Sequence, residues 1–148
     1  MNHWLGLLAS SAACAALGGC AAPDPDEELR ALVENAEAAA EARNTGFFRE
    51  LVAESYVDAG GRRREDVVDL IRGYFFVNAV VEVVNRIESV ELVGEDAATV
   101  TLQTAVLGRG QGASVLATDA HLYRIELELV RDGGDWRVIG AQWERMLR

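Results

Sequence analysis

The stretch TDAHLYRIELELVRDGGDW, residues 118–136, decides the fold. Apolar or aromatic side chains, with His121 among them, occupy every second position from 121 to 129. The charged side chains lie mostly on the opposite face; they are Arg124, Glu126, Glu128 and Arg131. Because strand side chains alternate between two faces, this pattern predicts a half-buried strand with His121 and Tyr123 at its core face. The sequence DGGD at 132–135 then predicts a tight hairpin into a further strand.

The rest of the domain is predicted to be three helices followed by strands. Apolar residues recur at helical spacing in three segments: Asp26, as N-cap, to Arg43, Phe47 to Glu54, and Arg64 to Phe75. Segments rich in β-branched residues, or with alternating apolar and polar residues, predict three more strands: Val80 to Val93, Ala98 to Leu107, and Trp136 to Met146. Helices first and an antiparallel meander after them predict an α+β domain.

Several short motifs give the chain a family resemblance. They are FFRELV at 47–52 leading into Tyr56-Val57-Asp58, then Gly61, EDVVDLI at 65–71, and DWRVI at 135–139. In their order and spacing they resemble the nuclear transport factor 2-like superfamily, also called SnoaL-like or polyketide-cyclase-like, over residues 27–148. The resemblance implies three helices packed on a curved antiparallel sheet, forming a cone with an internal cavity.

The N-terminus resembles that of a bacterial lipoprotein precursor. Residues 5–17 form an apolar segment too short to span a bilayer, where about 20 residues are needed. Leu17-Gly18-Gly19-Cys20 matches a lipobox, so we expect residues 1–19 to be a signal peptide and Cys20 to carry a diacylglycerol and a fatty acid such as palmitate. The segment before it lacks Arg and Lys, which leaves an ordinary signal peptide or an uncleaved anchor as alternatives.

Residues 20–26 are then the lipidated cysteine and a short linker. Ala21 follows the cysteine where inner-membrane retention signals usually carry Asp, so the resemblance implies an outer-membrane anchor facing the periplasm. Cys14 is lost with the signal peptide and Cys20 is acylated. We therefore expect no disulfide, no cysteine catalysis and no thiolate metal site.

Composition excludes several other functions. The net charge of −10 falls entirely after residue 19, and an acidic domain is repelled by nucleic acid. All fourteen basic residues are Arg, so lysine Schiff-base chemistry and a phosphate-loop lysine are impossible. His121 is the one histidine left after cleavage, and one histidine without a free cysteine cannot make an ordinary zinc site. No metal or cofactor is expected.

Asp58 and His121 are the candidate general bases. Asp58 and Tyr56 lie where the resemblance places the cavity opening, and family isomerases and cyclases pair such an acid with a hydrogen-bonding tyrosine. Tyr123 is the corresponding donor for His121. No complete catalytic set can be matched, and Asp58 beginning a turn is the simpler interpretation. The residues expected to line a cavity are Tyr56, Tyr74, His121, Tyr123 and Trp136. The cluster Arg62-Arg63-Arg64 could hold an anion or simply begin a helix.

Three functions remain open. We expect a non-enzymatic envelope lipoprotein that binds a small apolar ligand or a partner protein. The alternative is a small cavity enzyme of isomerase, cyclase or dehydratase type using Asp58 or His121. A third possibility is a structural homodimer, since the superfamily commonly pairs through its sheet face. The candidates for that face are Val80, Glu82, Val84, Leu102 and Val106.

Overall fold

The computed structural model describes residues 22–112 and 119–146. It contains three helices: α1 (Pro25–Glu41), α2 (Thr45–Leu51) and α3 (Arg64–Val77). Four strands follow: β1 (Val80–Val93), β2 (Ala97–Arg109), β3 (Asp119–Asp132) and β4 (Asp135–Arg145). The strands form one antiparallel sheet in the order β1-β2-β3-β4, which confirms the predicted α+β class. The predicted signal peptide and Cys20 lie outside the described residues.

The first helix begins earlier than predicted. Asp24, not Asp26, is its N-cap, and the Asp24 carboxylate accepts a 3.0 Å hydrogen bond from the Asp26 amide. Pro25 takes the first helical position, where its fixed φ suits the helix and its missing N–H costs nothing. The predicted N-cap was wrong because three acidic residues follow one another here and Pro25 was assigned to the linker. No helix of the described residues is long and apolar enough to cross a membrane.

The sheet curves around the helices. Register shifts between Ile87 and Ser89 and between Glu128 and Leu129 mark irregular pairing in β1–β2 and β3–β4. Such bulges bend a strand and increase its twist. The inner face packs on α1 and α3, and its apolar side chains fall into two clusters. The larger includes Leu29, Val100, Leu102 and Leu129, and the smaller joins Ala40 and Phe75 to Val81 and Val83.

The prediction of the sheet face for a homodimer is partly wrong. Val80, Glu82 and Val84 do lie on the face away from the helices, whereas Leu102 is only 4% exposed in the main core and Val106 packs on the smaller cluster. The reason is the register of the first two strands. Val80 pairs with Arg109 and Val84 with Ala105, so even-numbered residues of β1 share a face with odd-numbered residues of β2.

Both sheet edges are covered. The segment after α2 runs beside β4, where the amides of Ala53, Val57 and Ala59 donate to carbonyls of β4. On the opposite edge, Glu37 of α1 accepts 3.0 Å and 3.2 Å hydrogen bonds from the backbone amide and side chain of Asn85. The bonds to β4 fix the backbone on both sides of Asp58, and Glu37 pairs one amide of the β1 edge.

Candidate functional site

Asp58 is held in a turn. Its Oδ1 accepts hydrogen bonds from the amides of Gly60 at 2.8 Å and Arg62 at 2.9 Å, and its Oδ2 lies 3.0 Å from Arg62 Nε. Gly61 supplies the left-handed backbone that the turn requires, with φ of 79°. The carboxylate side chain is 1% exposed. Oδ1 is therefore fixed by two backbone donors, whereas Oδ2 is buried beside Arg62 without a hydrogen-bond partner among the described residues.

Tyr56 lies in the main core cluster and is 2% exposed. Burial raises the pKa of its phenol to about 12, the nearby Asp58 carboxylate adds to the rise, and Arg62 opposes it. The phenol therefore stays protonated at neutral pH. The Arg62 guanidinium also stacks 4.7 Å over the ring of Trp143, which joins this turn to β4.

His121 is bound through both of its ring nitrogens. Nε2 lies 2.7 Å from an Asp119 carboxylate oxygen, and Nδ1 faces the Arg145 guanidinium. A guanidinium can only donate hydrogen bonds and an ionised carboxylate can only accept them. In this arrangement Nδ1 accepts from the Arg145 guanidinium and Nε2 donates to the Asp119 carboxylate.

Tyr123, predicted as the partner of His121, and Tyr74, predicted to line a cavity, both lie in this region. The Tyr123 and His121 ring centroids are 6.0 Å apart. Burial raises the pKa of Tyr74, and the negative charges of Asp119 and of ionised Tyr123 would add to that rise. Tyr74 Oη is buried without a hydrogen-bond partner among the described residues. A Cβ at Gly108 would lie 2.4 Å from this oxygen, so the glycine leaves the space that the phenol fills.

Trp136 lies elsewhere, at the start of β4. Its indole is 6% exposed and Nε1 donates a 2.9 Å hydrogen bond to Glu28 of α1. Arg131 stacks 4.6 Å over the indole ring and pairs with the same carboxylate at 2.6 Å. The sequence grouped Arg131 with outward-facing charges, yet it pairs with Trp136 on the inner face at the rim of the sheet. These contacts lower the pKa of Glu28, first through Arg131 and then through Trp136.

A polar row crosses the inner face and was missed from the sequence. Asn85, Thr104, Tyr123 and Arg145 are successive cross-strand neighbours on β1 to β4. Thr104, only 5% exposed, donates a 2.7 Å hydrogen bond to Asn85, which in turn donates to Glu37. This row places hydrogen-bonding groups inside an otherwise apolar face. Its signal in the sequence is one polar residue among the apolar inward residues of the first two strands, Asn85 in β1 and Thr104 in β2.

The remaining candidates have structural roles in the part of the chain described. Arg62 pairs with Asp58, and Arg64 donates a 3.1 Å hydrogen bond to the Arg49 carbonyl. Across residues 22–112 and 119–146, no group of three or more His, Cys, Asp or Glu side chains could hold a metal ion. Two clefts open on the surface, and of the five predicted cavity residues Trp136 alone borders either of them.

The fold is shared with known structures. A candidate scytalone dehydratase from Novosphingobium aromaticivorans aligns over 82% of this chain and 84% of its own, with 12% identity and a TM-score of 0.73. A ketosteroid isomerase-like protein from Erwinia carotovora atroseptica aligns over 82% and 96%, with 12% identity and a TM-score of 0.65. An NTF2-like protein of unknown function in nutrient uptake from Rhodospirillum rubrum aligns over 80% and 98%, with 17% identity and a TM-score of 0.62.

No protein-family model matches the chain. No curated protein matches its sequence. The similarity to solved structures establishes the nuclear transport factor 2-like fold, which cavity enzymes and binding proteins share. At identities this low the fold alone is shared, and function has to be argued from the site.

Proposed function

We propose that this protein is a lipid-anchored envelope protein whose domain binds a small apolar ligand or a partner protein without catalysing a reaction. The observation that carries the proposal is the state of the two candidate bases. Asp58 faces two backbone donors and Arg62, and His121 is held between Asp119 and Arg145. The Asp58 side chain is 1% exposed and so closed to solvent, and both ring nitrogens of His121 are engaged.

A general base must reach the proton that it removes, at about 2.6–3.2 Å. Within residues 22–112 and 119–146 no hydrogen bond joins the Asp58 group to the His121 group. For Asp58 to act, a substrate would have to reach Oδ2, which is buried beside Arg62. For His121 to act, Arg145 would have to leave Nδ1. Asp58 therefore needs access to a buried oxygen, and His121 loses a native contact, before either can accept a proton, which favours binding over catalysis.

The anchor is supported by the N-terminal sequence and by the position of the first helix. The lipobox ends at Cys20 and α1 begins at Pro25, so residues 21–24 connect them. Four residues span at most about 14 Å. Anchoring at Cys20 would hold the first turn of α1 close to the bilayer. We place the anchor in the outer membrane, facing the periplasm.

A second candidate is a cavity enzyme of isomerase, cyclase or dehydratase type. One observation favours it: the Asp119 and His121 pair at 2.7 Å lies beside Tyr123 and Arg145 on the inner face. A carboxylate orienting an imidazole is a common catalytic arrangement. Binding of a substrate that drew Arg145 away would free Nδ1 as a base.

The outer face supports a third candidate, a homodimer. Val84 is 60% exposed and Val80 38% exposed, and Leu122 of β3 lies on the same face at 37%. Ala105 lies between Val84 and Leu122 in the register. Val84, Ala105 and Leu122 thus form an apolar row across three strands, and exposed apolar surface is typical of protein contacts.

Isosteric variants test the proposal. Asp58→Asn keeps an Oδ1 acceptor for the Gly60 and Arg62 amides, and His121→Gln keeps a polar side chain of similar reach. Each should complement a strain that lacks the gene, at wild-type protein level. Asp69→Asn, an exposed carboxylate on α3, is the matched control. Loss of function from either variant with normal protein level and lipidation would replace the binding proposal by the enzyme.

A further inference from the structure

A cleft of about 440 Å³ lies between α1, α2 and the β3–β4 hairpin, away from His121 and Asp58. Its apolar lining comes from Leu32 of α1, Phe47 and Leu51 of α2, and Trp136 of β4. The volume falls in the range of small-molecule sites. Neither candidate base, Asp58 or His121, borders this cleft, so it shares no residue with the sites built around them.

The charges around the cleft are paired except for one. Glu28 is bound by Arg131 at 2.6 Å, and Asp135 lies 3.4 Å from Arg137. Glu50 also borders the cleft and is exposed. Its backbone carbonyl accepts a hydrogen bond from Arg137, while its carboxylate has no ion-pair partner among the described residues. An apolar floor with one unpaired carboxylate at its rim is complementary to an apolar molecule that carries a single positive charge.

We propose that this cleft binds a small cationic amphiphile, with its apolar part on Leu32, Leu51 and Trp136 and its ammonium group beside Glu50. The net charge of −10 disfavours anionic ligands at the same surface. The Glu50 contact is solvent-exposed, so charge adds selectivity and the apolar contacts supply most of the affinity.

The test uses three probes with one chain length and different charge: octylammonium, 1-octanol and octanoate. The full chain is held in a lipid nanodisc, and binding is measured by titration calorimetry against protein-free nanodiscs. Octylammonium should bind about two- to five-fold more tightly than octanol, the range expected for one exposed ion pair. Octanoate should bind most weakly.

Two pairs of variants locate the site. Glu50→Gln should remove the preference for octylammonium, while Glu54→Gln, a carboxylate 93% exposed on the same segment and outside the cleft, should keep it. Ala31→Phe places a ring from an exposed helix position into the cleft and should abolish binding of all three probes. Ala38→Phe, exposed on α1 outside the cleft, should not.

Equal affinity for the three probes, or no binding above the nanodisc blank, would overturn the proposal. So would binding that survives Ala31→Phe. Circular dichroism of each variant confirms folding, and because all four substituted side chains are exposed or border open space, a change in binding reports the cleft.

Discussion

Removing the Trp136 side chain tests how the domain is held together. The indole is 6% exposed in the main core cluster, Arg131 covers its ring, and Nε1 donates to Glu28. Truncating a buried aromatic to alanine costs about 3–5 kcal/mol, from lost burial and from the cavity left behind. Trp136→Ala should therefore remove a large part of the roughly 5–15 kcal/mol available to a domain of this size.

The assay is denaturant unfolding followed by circular dichroism, with Trp136→Phe as the comparison. Phenylalanine keeps most of the buried surface and loses the bond to Glu28, so it should destabilise less than alanine. Trp143→Ala is the second comparison, since Trp143 is less buried and lies near the far end of β4. A loss under about 1 kcal/mol for Trp136→Ala would show that the contact between α1 and the β3–β4 hairpin is not part of the core.

Three further predictions concern single residues. Gly108→Ala places a Cβ 2.4 Å from Tyr74 Oη and should lower the melting temperature, with partial recovery in the double variant that adds Tyr74→Phe. Glu28→Gln should be less stable than wild type above the ordinary glutamate pKa of 4.5. The difference should shrink as pH falls below 4.5 toward the lowered pKa of the native state, so thermal melting should show a smaller difference at pH 3 than at pH 7. Cys20→Ala should accumulate as a slower-migrating, unlipidated precursor on gels. A variant that is still cut and still sediments with membranes would contradict the anchor.

The strand pattern of residues 118–136 predicted much of the fold. Alternation alone put His121 and Tyr123 on the inner face, where β3 now pairs them with Val106 and Thr104 of β2. It failed for Leu102 and Val106 because alternation within a strand says nothing of its register against the next one. The error at Asp26 had a local cause, since the sequence offers two Asp residues and only backbone geometry shows which one caps.

The site was harder to predict than the fold. His121 is held by Asp119 of β3 and by Arg145 of β4. Arg145 pairs in the sheet with Tyr123, 22 positions earlier in the chain. Arg131 and Glu28 are separated by 103 positions and meet only when α1 packs on the hairpin. Such partners are set by tertiary packing, so a single sequence identifies the candidate groups and leaves their contacts open.

The double variant Asp58→Asn/His121→Gln tests the absence of catalysis most directly, because it removes both candidate bases at once and neither can substitute for the other. The measurement is complementation of a deletion strain at matched protein level, with lipidation checked on the same samples. We predict function close to wild type. Complete loss of function in a folded, lipidated double variant would contradict the proposal of binding without catalysis and favour the enzyme.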